Sequence, residues 1–255
     1  FELVSAALNC GKHVLVEKPA ARTPEEFMPI VKLAAQKNLR LMVGYSARFH
    51  AHINRAKELV DAGKIGTILF VRALHGFGGR TGYEQEWRHK KEISGGGELI
   101  DQGAHLIDIA RWFLGDFSCV MGTTAHSFWK SEVEDNAYAI LQTKNSATAI
   151  IHASWTQWKP VFSLEIVGSE GYIEINGLGK KYGAGERLTF AQRQKDFSDP
   201  TGDEHTEQFD GGVEQAFGAE LSEFLSAIHE GRDPSPNGRD GLAVLDIVSK
   251  IYGRL

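Results

Sequence analysis

The stretch Ser94–Gly115, SGGGELIDQGAHLIDIARWFLG, decides how this chain is read. Three glycines, Gly95, Gly96 and Gly97, open a segment in which Leu99, Leu106, Ile109, Ala110 and Phe113 recur at helical spacing. Gly115 falls where a left-handed C-terminal cap belongs. Asp101 and His105 lie four residues apart, so a helix would stack them on one face. A carboxylate under an imidazole can orient the ring and raise its basicity, and the pair then handles protons. A salt-bridged surface face or a pair of metal ligands would use the same spacing.

Towards the N-terminus the pattern is helix and strand in turn. Phe1–Cys10 reads as an apolar-faced helix ended by Gly11, and His13–Val16 as a short strand stopped by Glu17-Lys18-Pro19. Thr23 as N-cap, Pro24 at the first helical position and Glu26 closing a capping box predict a helix to about Asn38. Leu39–Gly44 is again a strand. Short connections between such elements give part of a parallel α/β sheet. Beyond Tyr45 the character changes. A helix over His50–Gly63, a strand over Ile65–Leu74 and a glycine-rich loop over Gly76–Lys91 lead into the central helix. Strands are expected over Ser118–Phe128, Glu134–Thr143, Ala147–Trp158, Phe162–Gly168, Gly171–Asn176 and Arg187–Gln194. Adjacent strands without helices between them imply an antiparallel sheet. Asp196–Gly212 reads as an exposed loop, and helices around Glu214–Glu230 and Arg239–Tyr252 close the chain. The fold class is therefore α/β followed by α+β: the C-terminal part of a Rossmann-like parallel sheet over residues 1–45, then a large, open, mainly antiparallel sheet within residues 46–255.

At 255 residues the chain can bury a sizeable core, and its net charge of −5 gives no electrostatic case for nucleic acid. No apolar run is long enough to span a bilayer, and no signal-peptide pattern is present. Two cysteines, Cys10 and Cys119, make neither a disulfide framework nor a zinc site, which favours a cytoplasmic setting.

Glu17-Lys18-Pro19 sits at the carboxyl end of a parallel strand, where open α/β sheets bind ligands. A lysine there can hold a negative oxygen or donate to a substrate; the same three residues would also make an ordinary surface turn. Trp87 can stack on a planar ring and Arg88 can hold phosphate or carboxylate. Arg48-Phe49 at the domain boundary offers a similar pair. Gly76-x-Gly78 and Gly177-x-Gly179 miss the G-x-G-x-x-G spacing, and neither opens a helix, so both read as loops. His50, His52, His75 and His89 show no metal-ligand spacing and read as surface or packing residues. Trp129, Trp155 and Trp158 read as sheet or interface packing.

Taken in order, GKHVLVEKP, Arg48-Phe49, Trp87-Arg88 and GGGELIDQGAHLIDIARWFLG resemble the Gfo/Idh/MocA family of nicotinamide-dependent sugar and polyol oxidoreductases. The resemblance runs from Phe1 to about Gly177. It implies a catalytic Lys18, an active-site pair Asp101 and His105 with His105 as general acid/base, and Glu17 beside the nicotinamide ribose. Trp87 and Arg88 would flank the nicotinamide or the cofactor phosphates; Pro19 and Arg48 complete the cofactor-contacting set. NAD or NADP is the implied cofactor, a carbohydrate or polyol the substrate, and a homodimer or homotetramer formed through the open sheet the assembly. The family opens with a strand, a G-x-G-x-x-G turn and a helix that hold the pyrophosphate. Two βαβ units of about 30 residues each suggest that roughly 80 residues are missing before Phe1. The alternative is a catalytically silent fragment, or a binding or assembly protein of the same fold without the dinucleotide site.

Overall fold

The computed structural model describes residues 1–193 and 203–253. The chain begins with helix α1 (Glu2–Asn9), strand β1 (Val14–Glu17), helix α2 (Pro24–Gln36) and strand β2 (Leu41–Gly44). β1 and β2 pair in parallel, from Val14 opposite Leu41 to Glu17 opposite Gly44. Thr23 caps α2 by accepting from the Glu26 N–H at 3.3 Å, with Pro24 next in the chain. The expected capping box closes differently. Glu26 accepts from the Arg22 backbone N–H at 3.1 Å and from its guanidinium, one residue ahead of the cap.

A 3₁₀ turn (Ser46–Phe49), helix α3 (Ala51–Asp61) and strand β3 (Ile68–Gly76) follow. The glycine-rich loop holds two further 3₁₀ turns, Tyr83–Gln85 and Trp87–His89, before the one-turn helix α4 (Lys91–Ser94). The central helix then starts as a π-helical turn, Leu99–Gly103, and continues as α5 (Ala104–Leu114). Strands β4 (Phe117–Ala125), β5 (Asn136–Thr143), β6 (Thr148–Ser154), β7 (Val161–Gly168), β8 (Gly171–Leu178), β9 (Tyr182–Gln192) and β10 (His205–Phe209) come next. α6 (Val213–Glu230) and α7 (Gly238–Ile251) end the described chain.

The large sheet has the order β10-β9-β8-β7-β3-β6-β5-β4. Every neighbouring pair is antiparallel except β3 with β6. β3, made first, inserts between β6 and β7, so the loop after β6 must cross the end of β3. Part of the expected exposed loop is corrected by β10, which pairs with β9 from His205 opposite Phe190; residues 196–202 of that loop lie outside the described residues. Helix α7 is fastened by a full capping box, Asn237 with Asp240, that the sequence reading passed over.

One face of the sheet packs on the helices. β5 alternates buried Ala137, Ala139 and Leu141 with exposed Tyr138 and Ile140, as period-2 geometry requires. A continuous core joins Leu8, Phe27 and Val43 to Ile109, Ile151, Ile173 and Val244. It crosses the division near Tyr45, because α7 lies on α2 and β2: a Cβ at Gly241 would stand 2.6 Å from Val43 and 3.2 Å from Phe27. No helix among the described residues is long and apolar enough to cross a membrane.

Candidate active site

Lys18 leaves the carboxyl end of β1 and reaches across to the central helix. Its Nζ donates to Asp101 Oδ1 at 2.6 Å and to the Asp101 backbone carbonyl at 2.7 Å. Arg88 Nε lies 3.5 Å from the other carboxylate oxygen. Burial works to raise the Asp101 pKa, but Lys18 and Arg88 outweigh it and hold the carboxyl below its usual range. The elements expected to meet do meet here: strand end, glycine turn and loop.

The pairing within the helix is not the expected one. Asp101 sits in a π turn, Leu99–Gly103, and no hydrogen bond among the described residues joins it to His105. Its carboxylate goes to Lys18 and Arg88 instead. His105 Nδ1 is buried with no hydrogen-bond partner, and its ring stands edge-on to Tyr45 at 6.0 Å. Burial, then the Lys18 charge, pushes His105 well below the usual imidazole range. The expectation of a more basic His105 is therefore reversed. The ring is neutral at physiological pH, ready to accept a proton.

Two further groups in this neighbourhood went unnoticed as site candidates. His75, on β3, is buried with both ring nitrogens unpartnered, against Phe162 and Tyr182. Burial first, then Lys18, pushes it down to about 3. Between that value and an unfolded value near 6.5, the unfolded chain binds more protons, so stability falls as pH drops through this window. Each such histidine removes about 1.4 kcal/mol per pH unit there. A denaturation series from pH 7 to pH 4 should show this acid limb, and His75→Leu should flatten it; an unchanged slope would mean that His75 is not buried neutral. Glu98 is also fully buried, and burial followed by the Asp101 charge raises its carboxyl well above the usual range.

The glycine run has a specific cause. Glu134 folds over the start of the central helix, and Oε2 and Oε1 accept from the N–H groups of Gly97 and Leu99 at 3.0 and 3.1 Å. A Cβ at Gly97 would stand 2.0 Å from the Glu134 carbonyl oxygen. The helix N-terminus is thus held by the protein's own carboxylate, with Tyr252 donating to Oε1 at 2.6 Å. Glu134→Gln turns an amide NH₂ towards one of these donors. It should cost about 1–3 kcal/mol in urea denaturation. An unchanged midpoint would remove the carboxylate from the cap.

The flanking residues divide. Arg88 lies over the Trp87 ring at 4.7 Å, and Trp87 is half exposed beside the Lys18–Asp101 pair. Glu17 is exposed at the strand end, opposite Gly44, and Pro19 follows Lys18 directly. Arg48 corrects the sequence reading: its guanidinium is buried in a two-pronged ion pair with Asp108 (Nε to Oδ2 2.5 Å, Nη2 to Oδ1 2.6 Å), so it is committed within the core. His50 and His52 are also buried, and the fold brings both to Glu186 on β9. The sequence separation of that glutamate hid the cluster.

A parallel strand pair followed by a large, mainly antiparallel sheet is the fold of NAD-binding oxidoreductases. More particularly, the chain belongs to the GFO/IDH/MocA family. Residues 1–45 match the oxidoreductase family with NAD-binding Rossmann fold, and residues 53–174 match the GFO/IDH/MocA C-terminal domain. Levoglucosan dehydrogenase of Pseudarthrobacter phenanthrenivorans is 29% identical over 69% of this chain and 52% of its own length. Inositol 2-dehydrogenase of Rhizobium meliloti is 27% identical over 96% of this chain and 71% of its own length. The chain thus spans about half of the first relative and more of the second. Among solved structures, a levoglucosan dehydrogenase in complex with NADH and levoglucosan aligns at TM-score 0.87 and 27% identity, over 99% of this chain and 74% of that one. An aldose-aldose oxidoreductase from Caulobacter crescentus complexed with glycerol aligns at 0.83 and 26%, over 99% of this chain and 72% of that one.

Proposed function

We propose that this chain is part of an oxidoreductase that transfers a hydride between NAD or NADP and a hydroxyl or carbonyl carbon of a sugar, polyol or sugar nucleotide. The observation that carries the reading is the Lys18–Asp101 ion pair at the end of β1, on the helix that presents a neutral, unpartnered His105. The group fits where it is needed: Arg88 reaches the pair with Trp87 stacked on its guanidinium, and Glu17 and Pro19 flank Lys18 in the chain, while the described residues hold no G-x-G-x-x-G turn for the pyrophosphate. The nicotinamide, when bound, supplies or accepts the hydride.

His105 takes the hydroxyl proton during oxidation and returns it during reduction. Lys18 places positive charge beside the substrate oxygen and stabilises developing alkoxide. Asp101 holds the Lys18 ammonium in place, and Arg88 holds Asp101. Residues 1–45 serve as the C-terminal portion of the dinucleotide-binding domain, and 46–255 as the substrate and oligomerisation domain. The names of the relatives, levoglucosan dehydrogenase and inositol 2-dehydrogenase, support a carbohydrate or polyol substrate. The uncovered sheet face carries exposed Leu69, Met121, Tyr138, Ile140 and Ile150, and it supports a homodimer or homotetramer through that face. Free, exposed Cys10 and Cys119 support a cytoplasmic location.

The test is a titration of the full-length protein with NADH and NADPH, followed by a turnover screen of sugars and polyols. Saturable binding with turnover of one of them is expected. A folded protein that binds neither nucleotide would instead be a silent binding or assembly protein of this fold.

A further inference from the structure

We propose that His50, His52 and Glu186 form a binding site for one divalent first-row transition-metal ion, of which Zn²⁺ is the reference. The three side chains come from the cap and first turn of α3 and from β9, and all are buried. One ligand atom from each lies within 4.8 Å of the other two.

The hydrogen-bond inventory shows why a cation belongs here. His52 Nε2 lies 2.9 Å from the Gly177 carbonyl, which can only accept, so Nε2 carries the proton. In that tautomer the Nδ1 lone pair faces Glu186 Oε2. Both of these atoms are buried without a hydrogen-bond partner, and they face each other at 3.4 Å. Two acceptors brought together in the interior repel unless a positive centre lies between them.

A shared proton would satisfy them, but a charge-assisted N–H···O bond draws its atoms to about 2.7–2.9 Å. Two ligands on a tetrahedral zinc, each at about 2.0–2.1 Å, stand about 3.3–3.4 Å apart. The observed separation is that of ligands across a metal. The other carboxylate oxygen is held by the Gly179 N–H and by the third member of the cluster, His50. Glu186 Oε1 accepts from the Gly179 N–H at 2.7 Å and contacts His50 Nδ1 at 2.5 Å, while a Cβ at Gly211 would stand 2.5 Å from Oε2. Two imidazoles and one carboxylate suit Zn²⁺, Co²⁺ or Ni²⁺ better than Mg²⁺ or Ca²⁺. The ion would fasten the start of α3 to the far strands of the sheet.

The experiment strips the full-length protein with chelator and titrates it with Zn²⁺ by calorimetry, following thermal stability in parallel. Binding of one equivalent is expected, with a chelator-reversible rise in Tm. In His52→Gln and Glu186→Gln the affinity should fall by at least about 10-fold. The absence of saturable binding by the native protein would overturn the proposal and leave a proton in the gap. Binding that persists unchanged in both variants would also overturn it, since other residues would then hold the ion. Should the variants fail to fold, the Co²⁺ spectrum of the native protein decides: intense tetrahedral d–d bands support the site, and the weak spectrum of the hydrated ion overturns it.

Discussion

Replacing His105 by alanine is expected to lower turnover by about 10²–10⁴-fold while leaving NAD(P)H affinity close to that of the unaltered protein. In activation free energy this is about 3–5 kcal/mol, the range of a positioned acid/base. The ring is neutral because burial and then the Lys18 charge disfavour its protonated form. A neutral imidazole has the lone pair to take the hydroxyl proton, and the resulting imidazolium, destabilised by burial and Lys18, gives it up readily. The pH profile of kcat should therefore lack the acid limb near pH 6.5 expected of an unperturbed histidine, and activity should persist to lower pH. On the proposed reading cofactor affinity is spared, because that reading gives the nicotinamide's contacts to Glu17, Pro19, Trp87 and Arg88. Single-turnover rates and nucleotide titrations on His105→Ala separate the two parameters. Turnover within threefold of the unaltered protein would take His105 out of the mechanism.

What the sequence disclosed about this site followed the range of the interactions. The Lys18 strand end, the capped α2 and the alternating strands are written in neighbouring residues, and local rules recovered them. The turn Thr143–Ser146 between β5 and β6 is of the same kind, with Ser146 in the left-handed region. Interactions spanning many residues were not legible. Nothing near Asp101 announces a π turn, so i, i+4 stacking was the natural reading, and the true partner, Lys18, stands 83 residues away. The glycine run invites an anion, but the anion is Glu134, supplied from 37 residues downstream. Glu186 stands 136 residues from His50, and only the packing of α3 on β9 joins them. Arg48 was misjudged for the same reason: arginine at a domain boundary suits phosphate, and only the fold shows its guanidinium spent on Asp108.

Arg48→Ala is accordingly expected to be a folding defect, with a loss of about 3–5 kcal/mol. Asp108 is wholly buried, and Arg48 is its two-pronged partner. The same guanidinium lies 5.2 Å from the centre of the Trp112 ring, so the substitution also removes packing against α5. Burial already raises the Asp108 pKa despite Arg48. Without the guanidinium the carboxyl must take up a proton or remain as an uncompensated buried charge. A folded-state pKa above the unfolded one gives stability that is present at low pH and lost as pH rises through the folded value. The penalty of Arg48→Ala should therefore be smaller at pH 5 than at pH 8, the reverse of the trend set by His75. Urea denaturation at both values measures it. Arg48→Met combined with Asp108→Leu replaces the pair by apolar groups and should recover most of the loss, because removing both partners leaves no charge stranded. A single-variant loss below about 1 kcal/mol at pH 8 would mean that the pair behaves like an exposed salt bridge, and Arg48 would again be free to meet a ligand.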